Sequence, residues 1–236
     1  MMTAANISVI YILAALLPAL VLLNYVYRQD RVEREPAGLL FSLLWQGVKA
    51  ALAAIVLEII GETLLDRFFM PGSFLHTVFL AFFIVAAVEE GTKYYFLKRR
   101  TWREPNFDYM FDGIVYSVFV SLGFAAFENV KYVFEYGLSV AFSRAVLAVP
   151  AHMAFAVFMG IFYGRARCLA NRGQALAAKS NLAMGFLSAV LFHGFYDSCL
   201  MIGSNLSLAI FIGFVVFMYF FVSRVVKAAA EEDRPI

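Results

Sequence analysis

Charge is scarce in this sequence. Only 15% of its 236 residues are Asp, Glu, Lys or Arg, against about 25% in a soluble domain. Hydrophobic residues make up 63%, against about 45–50%. With a mean hydropathy of +0.79, this shortage argues against an ordinary soluble domain and predicts a polytopic membrane protein. Cysteine is almost missing too. Cys168 and Cys199 stand apart without metal-ligand spacing, so they read as small hydrophobes in or near helices. No HExxH helix, Gly-rich phosphate loop, nucleotide fingerprint, low-complexity tract or repeat stands out, and no nucleic-acid partner is expected. The net charge of +2 says little; where the charges fall says more.

What the chain has in quantity is long apolar runs. A spanning helix needs about 20 mostly apolar residues, and candidate spans lie at roughly 6–27, 38–60, 74–97, 112–136, 143–164, 182–201 and 205–224. The short connections leave no room for a separate soluble domain. The expected fold is therefore all-α, one polytopic transmembrane helix bundle of about seven spans over residues 1–236. The first run has no basic residues before it and Arg28, Arg31 and Arg34 after it, so it reads as a retained helix and not a signal peptide. Basic residues recur after alternate spans, at Lys98, Arg99, Arg100 and Arg103, at Arg165, Arg167, Arg172 and Lys179, and at Arg224, Lys227 and Arg234. The intervening loops hold little more than Arg67 and Arg144. The positive-inside rule then puts the amino terminus outside and the carboxyl terminus in the cytoplasm.

The few charges inside the apolar runs are the informative ones. A charge near the bilayer centre costs about 2.5–3.5 kcal/mol on insertion scales, yet four runs carry ionisable groups. Glu89, Glu90 and Lys93 interrupt the third span, and Glu128 with Asn129 the fourth. His152 interrupts the fifth, and His193 with Asp197 the sixth. Lys93 is i+4 from Glu89 and i+3 from Glu90, within reach of either, so one carboxylate is expected to pair with it while the other is free for chemistry. Asn129 suits either an oxyanion or a backbone carbonyl. Pro150, just before His152, is expected to kink or loosen its span. Asp197 at i+4 from His193 can orient that imidazole, for a metal ligand, an oxyanion donor or a proton shuttle alike. Asp112 is expected to complement the dipole of the fourth span, and His76 to lie at the interface.

In order along the chain stand EExxK (Glu89, Glu90, Lys93), FxxxEN (Phe124, Glu128, Asn129), HxxxxxxxG (His152, Gly160) and HxxxD (His193, Asp197). The set resembles the PrsW family of intramembrane proteases, distant relatives of the CAAX-prenyl endopeptidase and bacteriocin-processing group. The resemblance covers roughly residues 85–200, the expected catalytic core. The wider group's pattern is EExxxR, FxxxH and HxxxN; here the first motif is one residue shorter, and Glu128 stands where the wider group has His. The resemblance implies peptide-bond hydrolysis in or near a membrane, as in the first cut of a single-pass anti-sigma factor.

The expected mechanism has Glu89 or Glu90 activate water, with His152, His193 and Asn129 donating to the oxyanion. Asp197 would hold His193, Lys93 would tune the carboxylate pair, and Glu128 would form a second polar station. No cofactor is expected on this reading. The alternative is a zinc protease with Glu89, Glu90, His152 and His193 as ligands. A small proton-coupled transporter would use similar buried groups, and a scaffold would not explain them. The expected partners are a membrane-anchored protein substrate and the lipid bilayer, in a prokaryotic cell membrane.

Overall fold

Gly137 (φ 85°) and Gly203 (φ 62°) hold backbone conformations that L side chains rarely adopt, and each follows a membrane-length helix. Ser204 then starts the next helix, its hydroxyl accepting from the Ser207 N–H at 3.1 Å. The computed structural model describes residues 4–236; residues 1–3 of the expected domain lie outside the described residues. In chain order the helices are α1 (Ala4–Gln29), α2 (Ala37–Leu65) and α3 (Phe74–Phe79), a π-helical segment (Leu80–Ala86), then α4 (Ala87–Thr101) and α5 (Asp112–Tyr136). They continue with α6 (Leu138–Val146), α7 (Ala148–Asn171), α8 (Ala175–Ile202) and α9 (Asn205–Glu231). Among the described residues, seven helical stretches are long and apolar enough to cross a membrane, as the apolar runs predict.

Two spans differ from expectation in ways that matter. The second continues to Leu65, and the fifth begins at Leu138. The fifth span is interrupted just before Pro150, which sits in the first turn of α7 and has no N–H to continue the helix back to Val146. The break lies at Leu147 (φ −110°, ψ −65°), between α6 and α7. His76 is not simply interfacial: it is buried, with Nε2 2.8 Å from Asp66 Oδ1.

Helix α5 is the centre of the bundle. Its most apolar stretch is 78% buried, against 22% for α1, and it packs on α1, α2, α4, α6 and α7. In lipid, helices gain little hydrophobic drive toward each other, so close backbone approach matters more. Such approach occurs twice along α5. A Cβ on Gly123 would lie 2.4 Å from the Leu44 carbonyl of α2, and one on Gly160 of α7 would lie 2.6 Å from the Ile114 Cα. Apolar side chains such as Leu17, Leu20, Ile212 and Val216 on α1 and α9 face outward, as lipid-facing positions do.

At the end of the bundle that carries the basic segments, carboxyl groups are buried together. Asp30, Glu35 and Asp112 are all at most 6% exposed. The Tyr116 hydroxyl donates to Glu35 Oε1 at 2.7 Å. Asp112 accepts backward, from the N–H groups of Asp108 (3.1 Å) and Tyr109 (2.7 Å), so it fastens the preceding loop as well as opening α5. Asp233 accepts from the Phe111 N–H at 2.9 Å, and the Ile236 N–H donates to the Asp108 carbonyl at 2.7 Å. The carboxyl-terminal segment is thereby pinned to that loop.

Burial, aided by the charges of Asp30 and Asp108, pushes the Glu35 carboxyl up to about 7 from its ordinary 4.5. Burial, and secondarily the charge of Asp233, holds Asp30 at about 6. A carboxyl raised on folding adds stability that is complete below its unfolded value and is lost as pH rises through the folded one. For Glu35 that window runs from about 4.5 to about 7. Glu35→Gln, which keeps an acceptor for Tyr116 and cannot ionise, is expected to raise the melting temperature in detergent at pH 8 and to change it little at pH 4.5. Equal effects at both pH values would contradict this account.

Candidate active site

The ionisable groups of the third to sixth spans converge into one chain of contacts. Lys93 is its centre: Nζ donates to Glu89 Oε2 at 2.9 Å and to Glu90 Oε1 at 2.8 Å, and lies 3.1 Å from His152 Nδ1. The expectation that one carboxylate would be left free is thus corrected: Lys93 holds both. From His152 the chain runs outward, with Nε2 3.1 Å from Glu128 Oε2, which also accepts from Arg144 Nη2 at 2.7 Å. On the other side, His193 Nδ1 is 2.9 Å from Glu90 Oε1 and Nε2 is 3.2 Å from Asp197 Oδ2. Helices α4 to α8 each contribute a member.

Hydrogen-bond chemistry fixes the imidazoles. Lys93 has only donors, so His152 Nδ1 must carry its lone pair and Nε2 the proton that meets Glu128. Both nitrogens of His193 face carboxylate oxygens, an arrangement that the imidazolium satisfies with two N–H donors. Its ring stacks on Phe155, centroids 4.7 Å apart, and the Lys93 ammonium lies 4.0 Å above the Phe124 ring. With these protonation states the four carboxylates Glu89, Glu90, Glu128 and Asp197 face three cations: Lys93, Arg144 and His193. One negative charge is left over in a place where buried charges need partners.

A cavity of about 430 Å³ opens beside this chain. Glu89, Glu128, His152, His193 and Asp197 line it. Glu90 does not, and it is fully enclosed. Arg144, Tyr132 and Met201 lie in the same wall, so the cavity opens toward the ends of α5 and α8, opposite the basic segments. Glu128 is eight residues before Tyr136, about 12 Å deep at 1.5 Å per residue.

Asn129 takes the second of its two expected uses. Its amide donates to the Ala15 carbonyl at 2.7 Å, and its carbonyl accepts from Arg144 Nε at 2.9 Å. It ties α1 and α6 to α5 and does not line the cavity. Three charged cavity residues were given no site role by the sequence: Glu58, Lys131 and Arg144. Glu58 and Arg144 fell within three residues of the ends of the expected spans 38–60 and 143–164; with spans running to Leu65 and from Leu138, each is a charge well inside an apolar helix.

Glu89, Glu90, His152 and His193 each offer a ligand atom within 4.8 Å of the others. Two carboxylates and two imidazoles suit a divalent ion such as zinc, and Glu90 Oε2 is buried without a hydrogen-bond partner. Lys93 already stands among three of these residues, so an ion would compete with its ammonium.

The sequence model of a family described as "PrsW family intramembrane metalloprotease" matches residues 35–224. The chain belongs to the PrsW family. Among its relatives, Protease PrsW of Bacillus subtilis is 32% identical over 216 residues, covering 92% of this chain and 94% of that one. Protease PrsW of Clostridioides difficile is 32% identical over 211 residues, 88% and 86% of the two chains. Protease PrsW of Oceanobacillus iheyensis is 34% identical over 184 residues, 78% and 80%. No solved structure matches. With seven apolar helices and PrsW proteases of bacteria as relatives, the chain is an integral membrane protein of a prokaryote and an intramembrane protease, not a transporter. A membrane protein substrate and the lipid bilayer follow as partners.

Removing one partner from a buried charge pair costs about 3–5 kcal/mol, because the other charge is stranded. Lys93 neutralises two buried carboxylates, so Lys93→Met is expected to destabilise the protein by about that amount. The triple variant Lys93→Met, Glu89→Gln, Glu90→Gln is expected to recover most of the loss. Thermal unfolding of the purified variants checks both; a Lys93→Met protein as stable as wild type would contradict the pairing.

Proposed function

We propose that Glu89 is the general base of a peptide-bond hydrolysis carried out in the cavity. The observation that carries this is that Glu89 lines the cavity while Glu90 is enclosed behind it with Lys93 and His193. Glu89 takes a proton from water; the hydroxide attacks the scissile carbonyl carbon; the carbon–nitrogen bond breaks; and the same carboxyl protonates the leaving amine. Glu90 positions Lys93 and His193. Asp197 orients His193 from its other side.

The developing oxyanion needs donors, and those of His152 and His193 point at carboxylates in the resting site. Arg144 keeps Glu128 neutralised, so His152 can turn its N–H from Glu128 to the oxyanion without stranding that carboxylate. A donor already aimed at the oxyanion is worth about 2.7–4 kcal/mol; turning His152 away from Glu128 takes back part of that. Glu128 thus acts through His152, and Asn129 through Arg144 and α1.

The substrate is a membrane-anchored protein, and by the family resemblance the reaction is the first cut of a single-pass anti-sigma factor. With the basic segments in the cytoplasm, the cavity opens to the outer face, the amino terminus lies outside and the carboxyl terminus inside. A helix hides its carbonyls from attack, so the substrate unwinds to enter. At about 3.3 Å per extended residue, a depth of about 12 Å is spanned by about four residues. The cut therefore falls near the outer membrane boundary. The whole chain acts as one domain, with the chemistry between residues 85 and 200.

The family's description and the four-residue donor cluster support a second reading, with a divalent metal. A metal held by Glu89, Glu90, His152 and His193 would supply Lewis-acid activation of water.

Glu89→Gln is expected to lower the cleavage rate of a co-reconstituted substrate at least about a hundredfold, the typical worth of a general base, with folded protein retained. Glu90→Gln should lower it through weaker Lys93 and His193 placement. Full activity in Glu89→Gln would transfer the role to another group. Exhaustive chelation of the purified enzyme is expected to leave cleavage intact on the first reading. A loss that zinc restores, with stoichiometric metal by elemental mass spectrometry, would establish the second.

A further inference from the structure

Every carboxylate in the cavity wall has a cationic or imidazole partner except one. Glu89 is held by Lys93, Glu128 by Arg144 and His152, and Asp197 by His193. Glu58, seven residues before the end of α2, also lines the cavity. Its Oε1 is shielded from solvent and, among the described residues, has no hydrogen-bond or ion-pair partner. Glu128, in the same wall, bears the same sign. Lys131, another charge in this wall, is exposed and so keeps its hydration.

Around Glu58 the wall is made small by Ala51 and Ala54. A hydrophobic stretch of helix with two alanines and an unpaired carboxylate is a poor way to hold a bundle together. It is a suitable way to receive a long side chain that ends in a positive charge, the stem against the alanines and the head on the carboxylate.

We propose that Glu58 is a specificity-determining residue that receives a lysine or arginine side chain of the substrate close to the scissile bond. This rests on the protease reading of the cavity and deepens it. The cationic head completes the charge balance only when substrate is bound. A substrate with Asp or Glu at that position would place two carboxylates together in a medium that screens them poorly, and would be rejected.

The test uses the full-length enzyme in membranes with a library of single-pass reporters. Eight residues around the outer boundary of the reporter's span are randomised, and the cut ends are sequenced. Wild type, Glu58→Gln, Glu58→Asp and Glu58→Lys are compared, with Glu89→Gln as the background. Wild type is expected to favour Lys and Arg over Asp and Glu at one position by about tenfold or more. Glu58→Asp should keep the preference, Glu58→Gln should lose it, and Glu58→Lys should reverse it. The same preference in wild type and Glu58→Gln, or no charge preference in wild type, would overturn the assignment while leaving the protease reading intact. Should Glu58→Lys fail to fold, the Asp and Gln variants still decide the matter. Wild-type cutting no greater than that of Glu89→Gln would overturn the base assignment, and this inference with it.

Discussion

A lysine ammonium held inside a membrane-spanning bundle sets the terms for everything around it. Lys93 is 2% exposed, and the cost of an unpaired charge there is large enough to unfold a marginal protein. Its two carboxylate partners come from its own helix, one turn back, because i+3 and i+4 are the spacings that reach. Once Glu89 and Glu90 hold the ammonium, its third direction is open, and it is His152 Nδ1 from α7 that fills it. The Phe124 ring from α5 covers the remaining face. Helix α4 is therefore fixed against both α5 and α7 by one side chain, and the position of His152 Nε2 follows from the position of its other nitrogen.

Charges placed this way require helices that approach closely and hold still. The Gly123 crossing between α5 and α2 and the Gly160 crossing between α7 and α5 leave no room for a Cβ, so the central helix cannot slide without backbone collision. The π-helical segment Leu80–Ala86 lies directly before α4. π-helical turns change the direction that later residues face and recur at functional sites. Here the segment packs on α8, and Phe82 fits over Gly194, where a Cβ would lie 2.4 Å from its ring. His193 is the neighbour of that glycine, so the same contact seats α8 beside Glu90.

Much of this was legible in the sequence. Scarce charge and long apolar runs announced the seven helices, and the cost of burying ions singled out Glu89, Glu90, Lys93, Glu128, His152, His193 and Asp197 as a set. The order of the motifs pointed to the family that the chain proved to match. Three things were not legible. Glu58 was passed over and Arg144 was read as a loop residue, because apolar runs define span centres better than span ends. That the interruption beside Pro150 falls at Leu147 was not legible, because sequence alone does not tell a first helical turn from an interior one. That Lys93 pairs with both carboxylates, and that Asn129 serves Ala15 and Arg144, depends on which groups α1, α6 and α7 bring to the same place. Such long-range choices leave no local trace.

The site's charge balance connects the competing chemistries. Four carboxylates against Lys93, Arg144 and an imidazolium at His193 leave one negative charge, and a general base needs that charge on a cavity-facing oxygen. On the proposed reading Glu89 fills that role, since it lines the cavity and a single ammonium holds it, whereas Glu90 answers to both Lys93 and His193. A divalent ion held by Glu89, Glu90, His152 and His193 would share three of those residues with the Lys93 ammonium. The motif spacing that puts a lysine one turn after two glutamates is then more than a helix tie. It gives the site a fixed cation of its own, covalently attached, between the two carboxylates and His152.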